Sequence, residues 1–197
     1  MSEWRRPVNG EWTMDQLLAA EAAGERLKFL PFWGHTPSAD GRIGAHVLSQ
    51  WYPHPFDHEG VHYRTAEHFM MAEKARLFGD DERLEMILEA ESPGEAKRHG
   101  REVRGFSSDV WDRECTAIVR DGSIAKFGST LEMTAYLVGT GNRVLVEASP
   151  RDRIWGISMG RDNPAVENPS EWRGRNLLGF ALMQARAVLA QGVHDYE

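Results

Sequence analysis

The residues from Val61 to Phe78 carry the groups best suited to chemistry in this chain, because a carboxylate, an imidazole and an amine fall within one short stretch. Thr65 follows a β-like run and precedes good helix formers, so it is predicted to cap a helix. Gly79, just beyond the stretch, is a natural helix stop. Glu67 is therefore expected in the first turn of this helix and Lys74 in its second half.

Glu67 and Lys74 lie on one predicted helical face together with Met71 and Phe78. At a rise of 1.5 Å per residue, the acid and the amine are roughly 10 Å apart, which suits a small ligand with a phosphate at one end. A structural explanation competes, because the helix dipole alone favours a glutamate in the first turn by about 0.3 to 1 kcal/mol. The lysine is equally compatible with a solvated surface. Helical spacing alone therefore does not decide whether Glu67 and Lys74 bind a ligand or have only a structural role.

The composition is that of a globular protein with one domain. Hydrophobic residues make up 41% of the 197 residues and charged residues 27%, and no linker-like stretch divides the chain. No apolar run approaches the ~18 residues that a membrane span requires, and residues 1–10 lack the apolar segment of a signal peptide. The single cysteine, Cys115, excludes an intrachain disulfide. We therefore expect a cytoplasmic protein that does not associate with a membrane.

The net charge of -7 argues against broad binding to nucleic acid, which depends on clustered lysine and arginine. Nucleic acid is therefore not expected as a partner, except as a modified substrate. A local basic cluster does occur, at Lys97, Arg98, Arg101 and Arg104. It is compatible with a solvated helix face or with a phosphate site.

Three segments are predicted. Residues 1–24 form a leader, mobile at residues 1–10, in which Thr13 and Gln16 match a capping box that opens a short helix. Residues 25–191 form the domain itself, and residues 192–197 form a tail. Helical periodicity dominates the domain, and no repeat or alternation of strands and helices occurs. We therefore expect a mainly α fold, a single multihelical domain with a small antiparallel β element.

The predicted elements of the domain are read from periodicity and turn signals. Strands are expected at residues 27–33 and 46–52, a hairpin at 56–63, and a lone strand at 143–148. Helices after the one at Thr65 are expected at residues 80–91, from Ser92, at 108–127, at 131–138, and from Asn176 to about 191. A break or bend is expected at Asp121-Gly122. The irregular stretch from Ser149 to Arg175 is expected to be functional.

Two motif matches lack the structural context that their chemistry needs. His54, His58 and His62 have the spacing of metal ligands on a helix, but neighbouring prolines and a predicted turn exclude a helix there. Residues 156–160 match the G-x-S-x-G nucleophile elbow, but no following helix or underlying parallel sheet is predicted. Surface histidines and a loop serine are the better interpretations. We expect neither a metal nor a cofactor.

Asp152 and Trp155 lie in an irregular loop after a predicted strand. An acid and an indole at this spacing can hold a sugar hydroxyl and stack on a flat base. An exposed turn anchored by one tryptophan explains the same residues, so both interpretations stay open on local grounds.

Several strings of the sequence, taken in order, resemble the NADAR or YbiA-like family over about residues 27–189. The strings are Phe29-Leu-Pro-Phe32-Trp-Gly, Leu48-Ser-Gln-Trp-Tyr, Tyr63-Arg-Thr-Ala-Glu-His-Phe-Met-Met-Ala-Glu-Lys74, His99-Gly-Arg101, Ala125-Lys-Phe127, Leu145-Val-Glu-Ala, Asp152-Arg-Ile-Trp-Gly156 and Gly174-Arg-Asn-Leu-Leu-Gly179. The E-H-x5-K helix, the D-x-x-W-G loop and the N-x-L-G helix start are the most specific of them.

The resemblance implies a mainly α fold and an enzyme that hydrolyses an N-glycosidic bond. Its implied substrate is a small molecule with a phosphorylated ribose joined to nitrogen, such as a phosphoribosylamino-pyrimidine intermediate of riboflavin biosynthesis. Two alternatives stay open. One is a hydrolase that removes ADP-ribose from modified nucleobases, and the other is a non-catalytic module that binds ADP-ribose or NAD.

Carried over by position, the resemblance implies Glu67 and Asp152 as the catalytic acids and Trp155 as an aromatic that stacks on the base. The other substrate-binding residues that it implies are Lys74, Arg101, Lys126, Asn176, Phe32 and Ser49. A carboxylate in the first turn of a helix tends to stay ionised, so Glu67 is favoured as the group that activates water or faces a cationic transition state. Asp152 then holds ribose hydroxyls or protonates the leaving group, and the assignment between the two acids stays open.

The sequence departs from the family pattern at Ser49-Gln50-Trp51, where many members have Ser-Asn-Phe. The loop after Trp33 is also longer. The resemblance therefore does not fix the substrate.

Overall fold

The computed structural model describes residue 7 and residues 10–194, with the side chains of residues 193 and 194 left aside. The predicted mobile arm, 1–10, and the end of the predicted tail, 192–197, lie largely outside these residues. Within them, the α-helices are α1 (Met14–Ala22), α2 (Ala66–Leu77), α3 (Asp81–Glu89), α4 (Pro93–Arg101), α5 (Ser108–Gly128), α6 (Leu131–Gly139) and α7 (Leu177–His194). The strands are β1 (Phe29–Phe32), β2 (Phe56–His58), β3 (Val61–Tyr63) and β4 (Val144–Glu147). The predicted mainly α fold is confirmed.

Helix α2 lies at the centre of the domain and packs against α3, α4 and α5. Thr65 caps it as predicted, since its side chain accepts a hydrogen bond from the His68 amide, and Gly79 ends it with a positive φ of 69°. His68 is fully enclosed, and its Nε2 donates to the Ala90 carbonyl at 3.1 Å. The imidazole of this stretch is therefore a structural group that joins α2 to the end of α3.

The β structure consists of two separate pairs of strands. The predicted hairpin is present as β2 and β3, and its turn at Glu59 and Gly60 has positive φ at both residues. The other pair is parallel, and it joins β1 to β4 in the register Phe32 to Glu147. The expectation of a lone strand at 143–148 is therefore wrong. Periodicity within one short run cannot reveal a partner that lies more than a hundred residues earlier in the chain.

Helix α7 is joined to β4 by Asn176, which directly precedes the helix. Its Nδ2 donates to the Leu145 carbonyl at 3.0 Å, and its Oδ1 accepts from the Glu147 amide at 2.9 Å. Gly179 allows this contact, because a Cβ at that position would lie 2.1 Å from the Leu145 carbonyl oxygen. The N-x-L-G string therefore encodes a close contact between a helix and a strand.

The predicted strand at 46–52 is wrong. Residues 45–48 form a 3₁₀ turn, and the neighbouring side chains of Val47 and Leu48 are both fully buried, whereas a half-buried strand would alternate them. Ser49 continues the turn, because its Oγ accepts a hydrogen bond from the Trp51 amide at 3.1 Å. The result is a compact loop that leads directly to the start of α2.

A break or bend was predicted at Asp121-Gly122, and the break does not occur, since α5 continues through both residues to Gly128. A Cβ at Gly122 would lie 2.5 Å from Cδ1 of Phe69 on α2. The glycine therefore serves close packing between two helices and does not interrupt either of them.

The leader helix α1 opens with the predicted Thr13–Gln16 capping box. Leu17 and Ala20 are fully buried against the domain, and Glu21 accepts hydrogen bonds from the amide and hydroxyl of Ser170. Over the part of the chain that the structure describes, no helix has the length and apolar character of a membrane span.

Candidate active site

A small cavity of about 90 Å³ opens beside the start of α2, and we call it the carboxylate cavity. Its walls come from the loop before α2, from α2 itself, from α4, from the end of β4, from the following loop and from the start of α7. The lining residues are Ser49, Gln50, Trp51, Glu67, Met70, Lys97, Glu147, Asp152, Trp155 and Leu178. Both predicted catalytic acids therefore lie at one cavity, although 85 positions separate them in the chain.

Glu67 lies in the first turn of α2 and is almost completely buried. Its backbone N–H donates to the Gln50 carbonyl at 3.0 Å, and its Oε2 accepts a hydrogen bond from the indole Nε1 of Trp51 at 3.1 Å. Burial raises the pKa of Glu67 above its ordinary value, while the ammonium of Lys97 and the Trp51 indole act in the opposite direction. The ionised state expected from the helix dipole is thus opposed by a larger effect, the loss of water around the carboxyl group.

Lys97 is the basic residue of the cavity wall, and its Nζ lies 3.7 Å from Oε1 of Glu67. Ser92 and Pro93 start its helix, α4, with the predicted cap. Gly100, one turn after Lys97, lets α4 approach α2, because a Cβ there would overlap the side chain of Met71. The glycine in the His99-Gly-Arg101 string is therefore what brings Lys97 to the carboxylate.

Glu147 is the last residue of β4 and lines the cavity with 9% of its surface exposed. Burial and the neighbouring Asp152 raise its pKa to about 8, although Lys97 acts in the opposite direction. Near neutral pH this side chain therefore carries a proton more readily than an ordinary carboxyl group does.

The loop that follows β4 is folded around Asp152. Its Oδ1 accepts hydrogen bonds from the amides of Ile154 and Trp155, at 2.9 and 2.8 Å. The first amides of α7 then hold the loop from the other side, as Leu177 and Leu178 donate to the carbonyls of Ile154 and Trp155 at 3.2 Å. Asp152 and Trp155 consequently meet the cavity in a fixed relation to each other.

Gly156 explains the last position of the D-x-x-W-G string. A Cβ at this residue would lie 2.7 Å from the Glu147 carbonyl oxygen and 3.2 Å from the Asp152 carbonyl oxygen. The loop can therefore lie directly on the end of β4 only with glycine here, and this contact brings the acids of the strand and of the loop together.

Two buried polar atoms at the cavity lack hydrogen-bond partners among the described residues. They are Oε1 of Glu67 and Nε2 of Gln50. Buried polar groups in folded proteins are almost always paired, so an unpaired acceptor and an unpaired donor beside a cavity mark a place for a polar ligand or water.

Lys74 does not line the carboxylate cavity. Its Nζ donates to the Gly100 carbonyl at 2.7 Å and lies 4.2 Å from the centroid of the Phe106 ring. Burial, with the nearby charge of Arg101, lowers the pKa of Lys74. The predicted shared face of α2 is real, but this face packs against α4, with Glu67 at one end and Lys74 at the other.

Lys126 is also absent from the cavity wall, and it is completely buried. Its Nζ donates to the carbonyls of Val47 and Ser49, at 2.6 and 2.8 Å, and burial lowers its pKa to about 7. The amine thus lies behind the loop that supplies the cavity residues Ser49 to Trp51.

The remaining predicted binding residues fall into two groups. Ser49 and Trp155 line the cavity. Phe32, Asn176 and Arg101 do not: Phe32 is a fully buried core residue opposite Glu147, Asn176 holds the backbone of β4, and Arg101 is exposed at the end of α4. The roles assigned to these residues in substrate binding stay predictions.

Sequence reasoning missed four polar or aromatic residues of the cavity, namely Gln50, Trp51, Lys97 and Glu147. A signal existed for each. Glu147 is the only charged residue in the apolar run 144–148, Lys97 belongs to the basic cluster, and Gln50 and Trp51 are the positions that depart from the family pattern. An acid within an apolar strand and departures from the family pattern were therefore the sequence features that pointed to these cavity residues.

The residues of the histidine motif and of the G-x-S-x-G match contact ordinary neighbours in the fold. His62 contacts Asp57 within the hairpin at 2.8 Å, and His54 contacts Ser129 at 2.8 Å. Among the described residues no group of three potential ligands is arranged for a metal ion. Ser158 lies in the loop after β4, with a positive φ of 56°.

The sequence matches the model of one protein family, described as the NADAR domain, over residues 31–190. This chain belongs to the NADAR family. The match covers every residue that lines the carboxylate cavity, so the family assignment and the cavity refer to the same part of the chain.

Two named relatives support this assignment. N-glycosidase R617 of Acanthamoeba polyphaga mimivirus is 39% identical over 150 residues, which cover 74% of this chain and 88% of that protein. N-glycosidase YbiA of Escherichia coli (strain K12) is 30% identical over 136 residues, which cover 69% of this chain and 76% of that protein. Hydrolysis of an N-glycosyl bond, the reaction class predicted from the sequence, is therefore confirmed at the level of the family.

The fold is shared with a solved relative. The NMR structure of E. coli YbiA superimposes with a TM-score of 0.68 at 26% identity, and the match covers 86% of this chain and 89% of that one. The YbiA-like fold predicted for this NADAR protein is confirmed.

Proposed function

We propose that this protein hydrolyses the N-glycosidic bond of a phosphoribosylamino-pyrimidine, a small metabolite like the intermediates of riboflavin biosynthesis. The observation that carries the proposal is the convergence of Glu67, Glu147 and Asp152 with two indoles at one small cavity. The membership of the NADAR family and the names of the relatives support the same reaction class.

The charge of the cavity suits the transition state of this reaction. Breaking the bond between C1′ and nitrogen places positive charge on the ribose, in an oxocarbenium-like state. Three carboxyl groups face one ammonium group, that of Lys97, and two of them, Glu67 and Glu147, are largely removed from water. Fixed acidic groups at developing positive charge lower the barrier, and they also disfavour a phosphate inside the cavity. The phosphate of the substrate therefore points away from these acids.

Glu67 is the residue that orients and activates the attacking water. Its Oε2 is held by Trp51, whereas its Oε1 has no hydrogen-bond partner among the described residues. Burial raises its pKa above the ordinary value, which makes it a better base than an exposed carboxylate. Asp152, whose Oδ1 is occupied by two amides, presents its other oxygen to the ribose hydroxyls.

The size of the cavity indicates which part of the substrate it holds. A volume of about 90 Å³ is well below the ~300 Å³ of a pocket that encloses a whole drug-sized ligand. The ribose fills the cavity, and the pyrimidine lies at its edge against the indoles of Trp155 and Trp51.

Incubation with a ribosylaminopyrimidine 5′-phosphate in the presence of EDTA tests the proposal. The expected result is release of ribose 5-phosphate, with a loss of about 10² to 10⁴-fold in kcat for Glu67→Gln. Glu85→Gln, at an exposed position of α3, is the matched control and retains full activity. No release by the unmodified protein, or equal release by Glu67→Gln, contradicts the proposal.

A larger substrate is the second candidate, because a cavity that encloses only the ribose leaves the rest of the ligand unrestricted. An ADP-ribosylated nucleobase would present the same ribosyl–nitrogen bond to the acids. Comparing the turnover of ADP-ribosylated guanine in DNA with that of the free metabolite decides between the two. Calorimetric binding of ADP-ribose, with no cleavage of either substrate over hours, instead indicates a non-catalytic binding module.

A further inference from the structure

We propose that Glu147 is the general acid of this site, and that its carboxyl group donates a proton to the nitrogen atom that leaves C1′. The inference rests on the proposed N-glycosidase function and adds a catalytic residue to it. It also changes the assignment of the acids, because protonation of the leaving group passes from Asp152 to Glu147.

The backbone of Glu147 is held on both sides. Its N–H donates to Oδ1 of Asn176 at 2.9 Å, and its carbonyl accepts from the Ile157 amide at 3.0 Å. Gly156 lies against it so closely that a Cβ there would be 3.2 Å from Cγ of Glu147. These contacts position the side chain at the cavity and restrict its movement.

The carboxyl group of Glu147 has no hydrogen bond to any of the described residues, although nine-tenths of the residue is buried. The other two acids are engaged, since Asp152 accepts from two amides and Glu67 accepts from Trp51. A carboxyl group that is mostly removed from water and has no donor within the protein costs stability when it is ionised. The protonated form, which can donate to a ligand, avoids that cost.

The surroundings of Glu147 favour this protonated form. Burial and Asp152 raise its pKa to about 8, and Lys97 only partly offsets them. A general acid needs a pKa near the working pH so that it holds a proton and can still release it. Glu67, by contrast, faces Lys97, whose positive charge stabilises the ionised form of that acid.

The reaction step is balanced with these assignments. The bond between C1′ and nitrogen breaks, its electron pair stays on nitrogen, and the proton of Glu147 forms the new N–H bond. Water attacks C1′ as its proton moves to Glu67, which leaves ribose 5-phosphate with a new hydroxyl group and a free amine. Transfer of the proton from Glu67 through water to Glu147 restores the starting state.

The pH profile of kcat from pH 5 to 10 with a ribosylaminopyrimidine 5′-phosphate tests the inference. For the unmodified protein we expect a tenfold fall per pH unit above about pH 8. Glu147→Gln should be at least about 100-fold slower below pH 8 and should lack this fall. Glu147→Asp, which keeps an acid, should be slower and should retain the fall, and Glu85→Gln should match the unmodified protein.

Lys97 on α4, Glu67 on α2 and Asp152 in the loop are the other ionisable groups that face Glu147. Lys97 is the cationic group among them. Lys97→Arg keeps a positive charge at this position from pH 5 to 10, so a fall that persists in this variant and is absent from Glu147→Gln belongs to Glu147, whereas a fall that disappears in Lys97→Arg overturns the inference.

The outcomes separate this inference from the proposed function. If the unmodified protein releases ribose 5-phosphate but Glu147→Gln is within tenfold of it, or keeps the fall above pH 8, Glu147 is not the acid and the N-glycosidase proposal stands. If the unmodified protein cleaves no N-ribosyl substrate, both are overturned.

Discussion

The protonation state of Glu67 depends on the relative sizes of two opposing effects. The dipole of α2 favours the carboxylate by about 0.3 to 1 kcal/mol, whereas loss of water around a buried carboxyl group can shift its pKa by up to 3–5 units. Lys97 and the Trp51 indole restore part of the preference for the ionised form. In the proposed mechanism, Glu67 therefore works as a base only with these partners in place.

Trp51→Phe should reduce kcat/KM about tenfold or more and should move the acidic limb of its pH profile to higher pH. The indole N–H donates to Oε2 of Glu67 at 3.1 Å, and a hydrogen bond to a charged group contributes about 1.5 to 3 kcal/mol. Because this bond lowers the pKa of Glu67, its loss raises that pKa further, and the base is ionised only at higher pH.

Trp172→Phe is the control for this measurement. It removes an indole hydrogen bond to the Val166 carbonyl at 3.0 Å, away from the carboxylate cavity. An unchanged acidic limb in Trp51→Phe, or the same shift in both variants, contradicts the role assigned to Trp51.

The position of Glu67 could be predicted from the sequence, whereas its environment could not. Helical spacing and the cap at Thr65 depend on neighbours in the chain, so local patterns reveal them. The partners of the carboxyl group are Trp51, from the loop that folds onto the start of α2, and Lys97, from α4 packed against α2. The surroundings of Lys74 were out of reach for the same reason, since the face it shares with Glu67 packs against α4.

At the scale of elements, close contacts depend on glycines whose packing role local patterns do not reveal. Gly122 permits close contact of α5 with α2, and Gly179 permits close contact of α7 with β4. Helix caps were predicted correctly at Thr13, Thr65 and Ser92. Caps involve residues three positions apart, whereas a close contact involves residues that are distant in the chain.

Gly179→Ala should destabilise the protein by about 3 kcal/mol or more, because the new Cβ would lie 2.1 Å from the Leu145 carbonyl oxygen. The contact is with backbone, so a change of rotamer cannot relieve it. Chemical denaturation gives the free energy of unfolding. Gly192→Ala in the same helix, where no atom lies within 4 Å of the new Cβ, should be neutral or slightly stabilising. Equal effects of the two substitutions contradict this account of the helix–strand contact.

At the scale of the whole molecule, the contribution of Glu147 should lower the free energy of unfolding as the pH rises from about 4.5 to about 8. The unfolded chain releases the Glu147 proton near its ordinary pKa of 4.5, whereas the folded protein retains it up to about pH 8. The folded state thus binds more protons in this window, so the slope is negative. The decrease due to Glu147 is of the order of 2 to 5 kcal/mol.

Urea denaturation at intervals from pH 4.5 to 9 measures this slope, and Glu147→Gln should flatten it. The buried amine of Lys126, with a pKa lowered to about 7, adds a slope of the opposite sign above that pH. It does so in both proteins, so the difference between them isolates Glu147. If the free energy of unfolding changes with pH in the same way in the unmodified protein and in Glu147→Gln, the folded protein does not hold a proton at this residue.

The parallel pairing of β1 with β4 has a consequence for how the site is made. Phe29 pairs with Val144, so closing this sheet requires the ends of a very long loop to meet, which is entropically costly and slow. The anchor at Asn176 and the lining residue Leu178 come still later in the chain. During synthesis on the ribosome, the helices from α2 to α6 can therefore form before Glu67 and Asp152 meet. We therefore expect a nascent chain to gain the proposed activity only after α7 has emerged.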